Sequence, residues 1–245
     1  MFIVFDIGGT KTRVAWSEDG FQFGEPVVYE TIQNFDQGIL ILLSHISDLA
    51  GGREIRGIAG GITGVMGHDG ESLVFSPHLS GWVGKPLRKS IEEKFGVPLF
   101  IKNDTAMVGL GEAVAGAGKD FDLVAYVTVS TGIGGVRIRN GEIEPAHFGF
   151  EPGHHIIDIA HMRTFEGLVS GSALEARFGK KPSEIEDPFV WHFAGNSLAI
   201  GLHNVILHWS PDILVVGGAM VLKTPGISLE YVKSNLKKLS TVFPE

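Results

Sequence analysis

Cysteine is absent from this 245-residue sequence, which excludes disulfides, cysteine-ligated zinc, iron–sulfur clusters and thiol nucleophiles. No stretch approaches the roughly 20 consecutive apolar residues of a membrane helix. The opening apolar run, Phe2 to Phe5, is too short and lacks the basic flank of a signal peptide. A cytoplasmic protein without a membrane partner is therefore expected. Positive charge is also scarce: 20 basic against 28 acidic residues give a formal charge of −8. Lys233, Lys237 and Lys238 sit at helical spacing and read as a solvated face, so no nucleic-acid partner is expected. Any nucleotide would have to be held by backbone amides, one or two cations and Mg²⁺. What is present is ordinary globular material. At 44% hydrophobic residues the chain can build a core without a staple.

Period and punctuation point to an α/β chain. Phe2–Asp6 reads as a buried strand, Gly8-Gly9-Thr10 as a tight turn and Thr12–Ser17 as the returning strand. Helices are expected from Asp36, as N-cap, to Ala50, over Lys85–Phe95, and from the capping Asp104 to about Ala117. Strands are expected at Ile55–Ile62 and Pro98–Lys102. The pattern then repeats. Leu123–Val129 is a strand, Ser130–Gly135 a glycine turn and Val136–Arg139 a strand. A long helix over Pro188–His208 should bury Phe189, Phe193, Ala194, Ile200 and Val205. Ile213–Val216 is a short buried strand ending in Gly217-Gly218, and the helix from Ser228 to Leu239 is the last element. Two related α/β halves follow, 1–110 and 111–245, with a cleft between them as the natural ligand site.

Three glycine turns follow apolar strands. In Asp6-Ile7-Gly8-Gly9-Thr10-Lys11 the glycines let the backbone approach a phosphate, Thr10 and Lys11 add a hydroxyl and a cation, and Asp6 could hold Mg²⁺ directly or through water. Alone, the turn is equally a plain hairpin bend. Thr131 and Gly132 in the second turn, and Gly217 and Gly218 in the third, extend the same reading to a single nucleotide. Neither the GxxxxGK[ST] loop nor the GxGxxG loop is present.

The stretches FDIGGTKTRVA (5–15), SPHLSGW (76–82), IKNDTA (101–106), VSTGIGG (129–135), EPGH (151–154), FEGLVSGSAL (165–174) and SPDILVVGGAM (210–220) resemble, in order, those of the ROK family (repressor, open reading frame, kinase), and its sugar kinases in particular. The resemblance implies the two-domain actin-like, ribonuclease H-like ATPase fold. It implies ATP and Mg²⁺ as the phosphoryl donor system, a hexose or N-acetylhexosamine acceptor, and a homodimer. It makes Asp104 the catalytic base and Asn103, Glu151, His154 and Glu166 the sugar contacts. At a helix N-terminus Asp104 should be ionised and a weak base at rest.

The chain departs from the family in places. The cysteine-rich zinc loop is missing, and His154, His155 and His161 are read as structural or sugar-binding, so no zinc is expected. His78 replaces the family's asparagine, Pro152 sits inside Glu-Pro-Gly-His, and Ser130 and Val136 replace glycines. The ending at Pro244-Glu245 reads as early, without a terminal helix, and the six residues to Asp6 leave no room for a repressor's DNA-binding domain. A filament-forming actin relative, a paired-carboxylate glycosidase and a degenerate sugar binder without turnover are the competing readings.

Overall fold

The computed structural model describes residues 1–67, 69–146 and 149–240. Its backbone contacts separate two units, Met1–Val108 and Gly109–Glu245. No helix among the described residues is long and apolar enough to cross a membrane.

The first unit contains β1 (Phe2–Ile7), β2 (Lys11–Ser17), β3 (Val27–Glu30), α1 (Phe35–Ala50), β4 (Gly57–Ile62), β5 (Val65–Met66), β6 (Leu73–Phe75), α2 (Leu87–Phe95) and β7 (Leu99–Asn103), and α3 (Asp104–Ala115) begins in it. Its main sheet has the order β3-β2-β1-β4-β7. β1, β4 and β7 run parallel, so their carboxyl ends fall on one edge, while β2 returns antiparallel to β1. Period-two alternation sends Ile3, Phe5 and Ile7 into a core with Ile39, Leu42 and Ile46 of α1. Each such fully buried aliphatic side chain contributes about 1.5–3 kcal/mol. The same alternation leaves Asp6, at the carboxyl end of β1, on the opposite face of the sheet.

The second unit contains β8 (Leu123–Val129), β9 (Ile133–Arg139), β10 (Glu142–Ile143), β11 (Ile156–Asp158), β12 (Arg163–Thr164), α4 (Phe165–Val169), α5 (Gly171–Phe178), α6 (Pro188–Trp209), β13 (Ile213–Gly217), α7 (Ala219–Leu222) and α8 (Leu229–Leu239). Its sheet order is β10-β9-β8-β13, with β9 antiparallel and β13 parallel to β8. The strand, glycine turn and returning strand of the first unit thus recur, each with a parallel neighbour on the other side. Ala125, Val127 and Val129 of β8 pack in a core with Phe165, Leu198 and Leu202.

Several local expectations are corrected. Asn34, not Asp36, caps α1, its side chain accepting from the Gln37 amide at 3.1 Å. Asn103, not Asp104, caps α3 through a bond from the Ala106 amide at 3.3 Å. In α6 the buried residues include Val190, Leu198 and Leu202 beside the expected Ala194 and Val205, whereas Phe189 is 81% exposed and Phe193 and Ile200 are also exposed. α6 carries no Asp, Glu, Lys or Arg, and its solvent side is marked only by His192, Asn196 and His203. β13 is only half-buried up to Gly217. The expected early ending at Pro244-Glu245 lies outside the described residues.

Candidate active site

The first glycine turn is fixed from behind by its carbonyls. Thr31 donates its hydroxyl to the Gly8 carbonyl at 2.8 Å and its amide to the Thr10 carbonyl at 2.9 Å. The Gln33 side-chain amide donates to the Gly9 carbonyl at 3.0 Å. In a planar trans peptide each carbonyl points opposite to the next residue's N–H. Anchoring these three carbonyls therefore turns the amides of Gly9, Thr10 and Lys11 the other way, as an anion-binding nest requires. The Thr10 and Lys11 side chains are exposed beside them.

The carboxyl ends of β1, β4 and β7 bring Asp6, Gly61, Thr63, Asn103 and Asp104 together, as strand register demands: Asp6 pairs with Gly61, and Ile62 with Asn103. The absence of a side chain at Gly61 lets Asp104 close in, for a Cβ there would lie 3.1 Å from the Asp104 Cα. The Asp104 carboxylate accepts from the Thr105 amide at 2.7 Å. Its pKa is nonetheless held above the ordinary aspartate range. Burial is the largest cause, the Asp6 carboxylate adds to it, and the Thr105 amide and Thr63 hydroxyl pull the other way. The expectation of a weak base at rest is thus corrected: removal from water outweighs the helix N-terminus. Asp6 itself accepts from Arg13 at 2.7 Å, its partner across the β1–β2 pair. Asn103 donates to the Gly64 carbonyl at 2.9 Å, which leaves its second amide proton for a ligand.

In the second unit the next glycine turn is held the same way. Gly171 donates its amide to the Ser130 carbonyl at 2.8 Å, and Ser172 donates its amide and hydroxyl to the Thr131 carbonyl at 3.1 and 2.7 Å. The amides of Thr131 and Gly132 are turned outward by the same peptide geometry. Glu166 reaches this turn: its Oε2 accepts from the Ile133 amide at 2.6 Å and would lie 2.6 Å from a Cβ on Gly132. A side chain there would push the Glu166 carboxylate aside.

Glu151, His154 and Glu166 form one electrostatic cluster. The Glu151 carboxyl is raised above its ordinary value by partial removal from water; the His154 ring opposes this and the Glu166 carboxylate adds to it. His154 also donates its amide to the Glu151 carbonyl at 3.2 Å. At the third turn Gly218 has a packing reason of its own. Its φ is +98°, and a Cβ would collide with the Val129 backbone, so this turn abuts the second. His78 lies against the first turn, its Cβ 2.5 Å from where a Gly9 side chain would begin.

Sequence reasoning missed Arg13, Thr31, Gln33, Thr63 and Ser172. Arg13 was within reach, because a turn at Gly8-Gly9-Thr10 sets Asp6 opposite Arg13. Thr31 and Gln33 carry no local signal, since their partners lie more than twenty residues away.

The ROK family profile matches residues 2–242. A putative fructokinase of Bacillus subtilis (strain 168) is 31% identical over 164 residues, which is 62% of this chain and 55% of that protein. The xylose repressor of the same organism is 29% identical over 187 residues, 67% of this chain and 48% of the repressor. The chain thus spans about half the length of each of these two relatives. The crystal structure of a ROK family glucokinase from Streptomyces griseus, in complex with glucose and AMPPNP, matches with a TM-score of 0.79 at 20% identity, covering 100% of this chain and 92% of its own. That likeness shows the two-domain actin-like ATPase fold.

Proposed function

This chain belongs to the ROK family, and on that footing we propose that it is an ATP-dependent sugar kinase that phosphorylates a hydroxyl of a hexose or N-acetylhexosamine. The observation that carries the reading is Asp104, a half-buried carboxylate of raised pKa at the carboxyl ends of parallel strands, where open α/β sheets bind ligands. Raising a carboxylate's pKa makes it a better general base near neutrality. In the step proposed, the acceptor hydroxyl gives its proton to Asp104 as its oxygen bonds the γ-phosphorus. The bond from that phosphorus to the β-phosphate oxygen breaks, and ADP leaves. Asn103, Glu151 and His154 read the sugar's hydroxyls. Glu166 contacts the sugar through its second carboxylate oxygen while the first steadies the Gly132 turn. The outward amides at Gly8-Gly9-Thr10-Lys11 and Thr131-Gly132, with the close-packed Gly217-Gly218, line the nucleotide.

Mg²⁺ fits the acidic pair. Asp6 and Asp104 repel each other, and Asp6 has one carboxylate oxygen outside its Arg13 bond. Mg²⁺ takes one or two carboxylates plus phosphates rather than a full protein cage. Among the described residues no group of three or more His, Cys, Asp or Glu could hold a metal ion. Asp6 would hold the ion, directly or through water, and when bound it supplies neutralisation of phosphate charge. The proposal uses no zinc.

The homodimer has support in α6, where Phe189, Phe193, Ile200 and Leu207 are exposed on a helix without a charged residue. The match to a xylose repressor makes sugar binding without turnover the second reading. ADP release measured with Mg²⁺ against glucose, fructose, mannose, allose, N-acetylglucosamine and N-acetylmannosamine separates the two. Turnover with at least one sugar is expected; binding without turnover by the folded protein would favour the second reading.

A further inference from the structure

A cavity of about 400 Å³ in the second unit shares only Glu151 with the residues given a role above. Its walls come from Gly149 to Pro152 with His155 and Ile156 on one side, and from Asn204, Val205, His208 and Trp209 of α6 on the other. That volume falls in the roughly 300–1,000 Å³ range of small-molecule pockets. Phe150 and Trp209 meet edge to face at 5.0 Å and give the wall an aromatic surface. Asn204 and His208 lie one turn apart on α6 and add polar groups. Among the described residues that line the space none is Lys or Arg, and Glu151 brings a carboxylate. The lining therefore suits a neutral ligand rich in hydroxyls with an apolar ring face, rather than a phosphate.

The cavity is continuous with the proposed acceptor site through one residue. Glu151 belongs to both, and its Oε1 lies 4.0 Å from where a Gly149 side chain would begin. A sugar ring read by Glu151 can thus extend a neighbouring ring into this space.

We propose that the preferred acceptor is a disaccharide, one ring read by Glu151 and His154 and the other seated between Phe150, His155, Asn204 and Trp209. This rests on the kinase reading, and the two fail differently. Coupled ADP-release assays on matched pairs, glucose against cellobiose and maltose and fructose against sucrose, give the ratio of disaccharide to monosaccharide kcat/KM. At least one disaccharide should exceed its monosaccharide by about tenfold, the value of one or two good hydrogen bonds. Asn204→Ala should lower that ratio by about tenfold, and so should Trp209→Ala if it folds. If monosaccharides are phosphorylated and no disaccharide is preferred, or if Asn204→Ala leaves the ratio unmoved, the subsite is refuted while the kinase stands. If no sugar of either kind is phosphorylated, both readings fall.

Discussion

Replacing Asp104 with Asn separates catalysis from stability at one atom. Asn keeps an acceptor for the Thr105 amide at the Oδ1 position but cannot take a proton from the acceptor hydroxyl. General-base catalysis contributes about 10²–10⁴-fold, so kcat should fall by that factor while sugar binding survives. Stability should move the other way. The Asp104 pKa is raised on folding, by burial first and by Asp6 after it, so the folded state binds its proton more tightly than the unfolded chain does. The ionised carboxylate therefore destabilises the fold above the raised pKa. That cost fades as pH falls through the raised pKa and is gone below the unfolded value of about 3.9. Asp104→Asn should melt at or above the wild-type temperature at pH 7, and the gap should close as the buffer is brought toward pH 4. Carboxylates that are not coupled to Asp104 cancel in the difference; Asp6, which is coupled to it, contributes to the gap. Calorimetry at a series of pH values supplies the melting curves and single-turnover assays the rate. A variant that retains full turnover, or one clearly less stable than wild type at pH 7, would refute this account of Asp104.

Glu166→Ala strands the Ile133 amide, so urea denaturation should show a loss of about 1–3 kcal/mol, while Glu166→Gln, which keeps an acceptor, should recover most of it. Gly218→Ala forces a side chain into left-handed backbone and onto Val129, and should lower stability by about 1–3 kcal/mol or prevent folding, as read from the same curves. On α6, Phe189→Ser should cost less stability than Leu198→Ala, which should lose about 2–5 kcal/mol. The reverse order would mean the helix is rotated from the face described.

The glycine turns, Asn103-Asp104 and the strand-turn-strand units were legible because they are local: apolar alternation, a breaker, then alternation again. The phase of α6 was not, since its polar stripe is only His192, Asn196 and His203, and the large aromatics Phe189 and Phe193 mislead when size is taken for burial. Capping went astray by one or two positions where Asx residues cluster, at Asn34 and Asp36 and at Asn103 and Asp104. The protonation tendency of Asp104 was misjudged for a deeper reason. The helix N-terminus can be read from sequence, but the burial that outweighs it depends on close packing against residues distant in the chain, such as Gly61 of β4. Glu166 shows the same limit, since its bond to Ile133 spans 33 residues.

The claim that this chain moves a phosphoryl group from ATP to a sugar is tested most directly by ³¹P NMR of the protein with ATP, Mg²⁺ and an accepted sugar. The account predicts that the γ-phosphate signal disappears as a sugar phosphomonoester and the two ADP signals grow in equal amounts, with no such change when the sugar is left out. Persistence of intact ATP with every sugar tried, or release of inorganic phosphate in place of the monoester, would contradict it.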